Sequence, residues 1–241
     1  IMNLHLVIGT PMYGGMCTSE YTQSLLNLSE SANKSDVKLT TIFLGNESLI
    51  QRGRNTIAHH FMNLPDATHL LFIDADIKFR TEDIIRMIAA DKSLIVGPVA
   101  LKGYNWDEIR QAAVNGEDDI GRTGGVFNIN KLPGIDMVDE NEPFEIEHGG
   151  NAFMMIRRDV FETLKPHTPI YTNGGRSLPD GVEIYDYFRV EINKDTNHLL
   201  SEDYFLCHSY RQLGGKVWCA PWVETGHFGS HLFNGKYSRN N

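Results

Sequence analysis

The run His69-Leu70-Leu71-Phe72-Ile73 constrains this chain more than any other segment. It is apolar after its first residue and stops abruptly at Asp74-Ala75-Asp76. An apolar run of strand length without polar alternation is the pattern of a parallel strand buried on both faces. Such a strand needs helices above and below it, and the neighbouring sequence supplies them. Leu4 to Ile8 reads as a short buried strand closed by Gly9 and Pro11. Ser19 to Asn33 carries Tyr21, Leu25, Leu26 and Leu28 at roughly helical spacing, Val37 to Leu44 is strand-like, and Ser48 to Met62 is helical again. Thr81 is expected to cap a helix with Glu82 and Asp83 in its first turn, and Ser93 to Val96 is the next strand. Strands alternating with helices predict an α/β fold, Rossmann-like, with a mostly parallel central sheet flanked by helices.

After Val99 the rhythm breaks. Gly103 to Pro143 is rich in Gly, Asn and acid, and reads as an excursion with a short strand at Gly125 to Ile129. Ala152 to Ile156 reads as a strand, Arg158 to Leu164 as a short helix and Pro166 to Glu183 as loop. Ser201 to Leu213 is a predicted helix and Lys216 to Cys219 a strand. No repeat and no linker interrupts the 241 residues, so one domain is expected.

Charge and cysteine content exclude several classes. Lys plus Arg number 22 against 31 Asp plus Glu, a formal net charge of −9, whereas non-specific nucleic-acid binding needs a basic face. Much of the excess acid falls between Asp136 and Glu147, the pattern of a solvated loop. No apolar run approaches the roughly 18 residues of a membrane span. The stretch Ile1 to Ile8 lacks the basic leader of a signal peptide, and the leading Ile1 before Met2 reads as a foreign addition. Cys17, Cys207 and Cys219 are an odd set without paired spacing, which predicts a reducing, cytoplasmic setting and neither a disulfide framework nor a zinc site.

The chemistry centres on Asp74 and Asp76. Two carboxylates at i and i+2, at the carboxyl end of a buried strand, sit where open α/β sheets bind ligands. They can hold a hard divalent cation through oxygen and leave coordination positions for phosphates. The plainer reading is a pair of turn-forming acids. The apolar strand behind them makes these acids its exit from the core, which favours the first.

An apolar strand, D-x-D, then a helix resembles the metal-binding segment of nucleotide-sugar glycosyltransferases of the GT-A fold. Further elements resemble the same family in the same order. They are Arg52-Gly53-Arg54-Asn55, then Gly149-Gly150 leading into Met155-Ile156-Arg157-Arg158-Asp159-Val160-Phe161, then Glu202-Asp203-Tyr204-Phe205 with Gly214-Gly215-Lys216-Val217-Trp218, and finally His227-Phe228-Gly229. The resemblance implies a GT-A-like domain with a nucleotide-binding half over residues 1–100 and an acceptor-binding half over 101–241. It implies a metal-dependent glycosyltransferase moving a sugar from a nucleoside-diphosphate sugar to a hydroxyl acceptor, a glycan. Asp74, Asp76 and His227 would bind the metal, Mn2+ with Mg2+ as alternative, and a UDP-sugar is favoured over a GDP-sugar. Asp203 would be the catalytic carboxylate, with Glu202 able to share the role.

The residues also stand on their own chemistry. An acid in the first turn of a helix has its charged form favoured by the helix dipole, and one held ionised at a cleft can accept a proton from an acceptor hydroxyl. His227 and His231 have the spacing of a helical zinc pair, but Gly226 and Gly229 disfavour a helix there, and His231 reads as structural. Arg52 and Arg54 cannot share a helix face, so only one should reach a diphosphate. Gly149 and Gly150 would let a sugar approach the backbone. Thr10, Pro11 and Tyr13 follow the first strand at the nucleotide edge, where Tyr13 could stack on a base, and Lys102 and Trp106 would line the sugar site.

Two other functions compete. A nucleotidyltransferase making nucleotide sugars would want a basic, Gly-rich loop after the first strand, but Gly9 to Gly15 holds no Lys or Arg. A non-catalytic carbohydrate-binding module would use Trp106, Trp218, Trp222 and Tyr13 as sugar platforms.

Overall fold

The computed structural model describes residues 4–35, 37–118, 120–135, 139–174 and 178–230, the side chain of Arg122 excepted. The expectations for Ile1, Met2, Asp136 and His231 lie outside the described residues.

The expected βα alternation is present. Strand β1 (His5–Met12) leads through helix α1 (Ser19–Lys34) to β2 (Lys38–Gly45), and α2 (Ile50–Met62) leads to β3 (His69–Ile73). A short β4 (Ile77–Lys78), helix α3 (Thr81–Ala89) and β5 (Leu94–Val96) follow. The excursion holds α4 (Trp106–Asn115), α5 (Ile120–Thr123) and β6 (Ile129–Lys131). Next come β7 (Phe144–Gly149), β8 (Phe153–Arg157) and α6 (Arg158–Leu164). Two small hairpins, β9 (Ile170–Thr172) with β10 (Glu183–Tyr185) and β11 (Glu191–Ile192) with β12 (Leu199–Leu200), precede α7 (Glu202–Gln212). The described chain closes with β13 (Val217–Cys219) and β14 (Gly226–His227).

The main sheet has eight strands in the order β2-β1-β3-β8-β5-β13-β7-β6. All run in one direction except β8 and β7, so the sheet is mostly parallel in sense, with two reversed strands inserted. From β1 the chain steps to β2 on one side and to β3 on the other. That reversal of strand order is a topological switch point, and ligands bind at the carboxyl ends of strands in such a place.

Strand periodicity divides the core into two layers. Val7, Leu70, Phe72, Met154 and Ile156 face the layer with α2 (Ile57, Phe61), α6 (Val160, Phe161) and α7 (Leu206). Their neighbours Leu6, Ile8, Leu71, Ile73, Phe153 and Met155 face the layer with α1 (Tyr21, Leu28) and α3 (Ile84, Met87). Residues of β3 from Leu70 to Ile73 are fully buried. Removing each such side chain from water contributes about 1.5–3 kcal/mol, so the apolar run fixes the centre of the sheet.

Four local expectations need correction. Thr81 is the first residue of α3 rather than its cap; the cap position is Arg80, with no side-chain capping bond, and the Thr81 hydroxyl is buried without a partner among the described residues. The excursion contains the regular helix α4, started by Asn105, whose side chain accepts from the Glu108 amide, and ended by Gly116 at φ +75°. Its exposed face is polar enough to hide the period. The strand expected at Gly125 to Ile129 begins at Ile129, and Phe127 makes only an isolated bridge to Ala100. The supposed loop from Pro166 contains the β9–β10 hairpin.

Candidate active site

Several of the sequence-selected residues meet at the carboxyl end of β3. The turn after it closes with the Ile77 amide donating to the Asp74 carbonyl at 3.1 Å. It is tied on one side by the Asp74 amide to the Ala152 carbonyl (3.1 Å) and on the other by the Thr18 amide to the Ala75 carbonyl (2.9 Å). Both acids therefore stand on a short segment anchored between β8 and the start of α1.

Asp74 and Asp76 have different partners. Asp74 Oδ1 accepts from Arg54 Nη2 at 2.8 Å. Arg54 is buried in α2, lies over the Phe72 ring at 5.0 Å, and leaves its Nε and Nη1 without partners among the described residues. Buried guanidinium N–H groups without acceptors are costly unless a ligand supplies them. Asp76 Oδ2 accepts from Lys102 Nζ at 2.5 Å and lies 3.5 Å from His227 Nε2. The β14–β4 pairing sets His227 opposite Ile77 and so brings it to Asp76. His227 Nδ1 donates to the Ala100 carbonyl at 2.7 Å, which leaves the Nε2 lone pair directed to the carboxylate side.

The α7 carboxylates split their duties. Asp203 is buried, and Oδ1 accepts from the Ser201 hydroxyl and, at 2.8 Å, from the Tyr204 amide. Its Oδ2 accepts from the Asn151 amide at 3.3 Å, tying the loop after Gly150 to α7. Glu202 is partly exposed, and its pKa is raised by burial first and by the neighbouring Asp203 charge second.

Arg54, Asp74, Gly150, Glu202, Asp203 and His227 all border one cleft of about 240 Å³. Sequence reasoning missed two of its polar lining residues, Asn128 and Asn151. Asn128 accepts from the Tyr204 hydroxyl through its side chain and from the Gly150 amide (3.0 Å) through its carbonyl. Asn151 is buried, and both ends of its carboxamide lack partners among the described residues. Neither lies on a periodic face; the position of Asn151 directly after two glycines was the one available signal.

Other selected residues lie elsewhere. Thr10 is fully buried, its hydroxyl 2.6 Å from the Tyr21 hydroxyl, so it faces the core rather than a nucleotide. Arg52 makes two hydrogen bonds to Glu47 (2.6 and 2.7 Å) away from the cleft, as the spacing argument required of one arginine. A Cβ on Gly149 would meet Val96 at 2.9 Å, so that glycine serves packing, whereas one on Gly150 would meet Asn128 at 2.9 Å beside the cleft. Tyr13 is 75% exposed in a turn where Gly14 and Gly15 take positive φ, and Pro11 precedes it at the end of β1. Lys102 borders a second, larger cleft of about 1110 Å³, which shares Ala100, Leu101 and His227 with the first. Trp218 lies under Lys92, Trp222 under Arg86, and Trp106 is exposed beside Tyr104.

Among the described residues, no three His, Cys, Asp or Glu side chains converge as a ready metal cage. The His227–Asp76 pair nonetheless fits a cation. Its imidazole tautomer is fixed by a carbonyl, its carboxylate is within reach, and the Lys102 ammonium already rests on that carboxylate as a positive charge would. No described helix is long and apolar enough to cross a membrane.

No protein-family model and no curated protein matches this sequence. Among solved structures, A197 from STIV superimposes with a TM-score of 0.50 at 12% identity, over 97% of this chain and 99% of that one. GalNAc-T7, crystallised with UDP, GalNAc and Mn2+, gives 0.45 at 11% identity, over 93% of this chain and 44% of that one. A glycosyltransferase involved in the glycosylation of the major capsid of PBCV-1 gives 0.34 at 11% identity, over 67% and 64%. The likeness to A197 is one of fold alone, and the arrangement is the α/β one, a mostly parallel sheet flanked by helices, that the alternation of strands and helices led us to expect.

Proposed function

We propose that the chain transfers a glycosyl group from a nucleoside-diphosphate sugar to a hydroxyl acceptor. The observation that carries this reading is the meeting, in one cleft at the carboxyl ends of the strands, of an arginine with unspent N–H groups, the first D-x-D acid, a histidine and two helix-terminal carboxylates.

Asp76 and His227 would hold the divalent ion, Mn2+ or Mg2+, and imidazole beside carboxylate suits manganese better than calcium. Bound there, the ion would neutralise charge on a departing diphosphate. Asp74 would act through Arg54, whose free Nε and Nη1 are suited to phosphate or sugar oxygens. Lys102 would exchange its carboxylate partner for phosphate as the ion takes Asp76. Tyr13, with Pro11 behind it, is the candidate stacking surface for the base, a uracil in the favoured reading. Gly150, Asn151 and Asn128 would border the sugar.

For the acceptor proton, Glu202 is the better candidate of the two acids. Asp203 spends both oxygens on three protein donors, whereas Glu202 borders the cleft with a raised pKa, and a base works best when its pKa lies near the operating pH. Asp203 then positions the Asn151 loop.

Calorimetric titration with UDP, with and without Mn2+, tests the reading. Metal-dependent binding is expected, followed by slow donor hydrolysis across a panel of UDP-sugars and GDP-sugars. No binding of UDP or of GDP, titrated in the same way with Mn2+ present, would overturn it.

A further inference from the structure

Beyond Lys102 and His227, the larger cleft carries chemistry that the proposed reaction does not use. About 1110 Å³ slightly exceeds the roughly 300–1,000 Å³ of ordinary small-ligand sites, so it suits an extended ligand. It opens beside the smaller cleft across Ala100, Leu101 and His227. Although the chain carries a net charge of −9, only two acids, Glu140 and Glu224, border this cleft against four cationic side chains: Arg80, Arg86, Lys102 and Lys131. Two are already matched, Arg80 by Glu224 (3.2 Å) and buried Asp83 (3.1 Å), and Lys102 by Asp76. Arg86 and Lys131 meet no carboxylate at salt-bridge distance among the described residues. Arg86 instead lies over the Trp222 ring at 4.5 Å and donates once to the Asn141 carbonyl at 3.2 Å. The Trp222 indole N–H is buried and has no acceptor among the described residues. Phe127 adds an apolar, half-exposed wall.

Two cations that meet no carboxylate among the described residues, an N–H donor without an acceptor among them and aromatic faces in one large cleft call for a ligand that combines sugar faces with negative charge. We propose that this cleft binds an anion-bearing saccharide as the acceptor, the carboxylate or phosphate lying against Arg86 and Lys131 and a sugar ring against the aromatic wall. Calling the ligand an acceptor rests on the glycosyl-transfer reading; its anionic character rests on this cleft alone.

The test uses the protein without donor or metal. Tetragalacturonate, its fully methyl-esterified form and glucose 6-phosphate are titrated by calorimetry and followed by ligand-observed NMR. The free acid is expected to bind about tenfold or more tightly than its neutral ester, with affinity falling as salt rises. Arg86→Gln and, separately, Lys131→Gln should each reduce that preference. Lys131 is exposed, so its variant keeps the test valid should Arg86→Gln disturb Trp222. Preferential binding of glucose 6-phosphate through the same two side chains would identify phosphate as the anion. Equal affinity for acid and ester, or binding indifferent to both variants, would overturn the proposal, as would displacement of the acid by UDP alone. Failure here leaves the UDP and Mn2+ titration untouched, and failure there leaves this binding result standing.

Discussion

His227 Nε2 stands 3.5 Å from Asp76 Oδ2, and the backbone holds the pair from both sides. The Phe228 amide donates to the Asp76 carbonyl at 2.9 Å, and the His227 ring is fixed by the Ala100 carbonyl. This coupling makes the metal reading testable with two substitutions of unequal effect. Asp76→Ala should abolish Mn2+-dependent binding of UDP with little change in thermal stability. His227→Ala should weaken metal affinity less completely, because the carboxylate and the diphosphate remain. Calorimetry of both variants decides the matter; unchanged affinity in Asp76→Ala would remove the metal assignment.

Glu202→Gln should leave UDP binding intact and cut turnover by about 10²–10⁴-fold, the usual cost of losing a general base. Asp203→Asn should cost stability first, since one oxygen that accepts from the Asn151 or Tyr204 amide becomes a donor. The deciding measurement is kcat beside Tm for each. Normal kcat in Glu202→Gln with a collapsed Asp203→Asn that keeps its Tm would return the role to Asp203.

The raised pKa of Glu202 has a stability consequence of definite sign. A carboxyl whose folded-state pKa lies above its unfolded value binds more protons when folded, so it lowers stability as pH rises through that window. Glu202→Gln is therefore expected to raise Tm relative to the native chain at pH 7, with the gain vanishing in acid below the ordinary glutamate pKa. Each kcal/mol is worth about 2–4 °C in a chain of this size. Scanning calorimetry at both pH values checks it, and a variant less stable at pH 7 would contradict the sign.

Replacing the two adjacent glycines should separate packing from binding. Gly149→Ala forces a methyl against Val96 and should destabilise by about 1–3 kcal/mol while sparing nucleotide affinity. Gly150→Ala pushes the Asn128 carboxamide at the cleft wall, so the larger loss should appear in donor affinity. Denaturation and UDP-sugar titration of the two variants read the difference; indistinguishable profiles would count against it.

Thr10→Val should cost about 1–3 kcal/mol by leaving the buried Tyr21 hydroxyl unpaired, with no change in UDP binding. Burial already pushes the Tyr21 pKa up to about 12, in keeping with a hydroxyl sealed in the core. A selective loss of nucleotide affinity would put Thr10 back at the ligand.

The sequence by itself determined the layered α/β architecture and the exit of β3 at Asp74, because both rest on local signals. Apolar run length marks a doubly buried strand, and the period change from strand to helix repeats through the first half. Local signals carry no strand direction, so only the tertiary structure decided that β8 and β7 enter the sheet reversed. They are equally silent on long-range partners. Arg52 and Arg54 are distinguishable by helix geometry as a pair, but which one faces Asp74 depends on how α2 packs against β3. His227 belongs with Asp76 because β14 adds to β4, a pairing of two residues on each side that leaves no periodic trace. The α4 helix was hidden because only Ala112 of its residues is fully buried, which leaves too narrow an apolar stripe to read. Asp203 and Glu202 are equivalent first-turn acids in the sequence. Their difference arises from three donors that folding brings to one carboxylate and from the burial it imposes on the other.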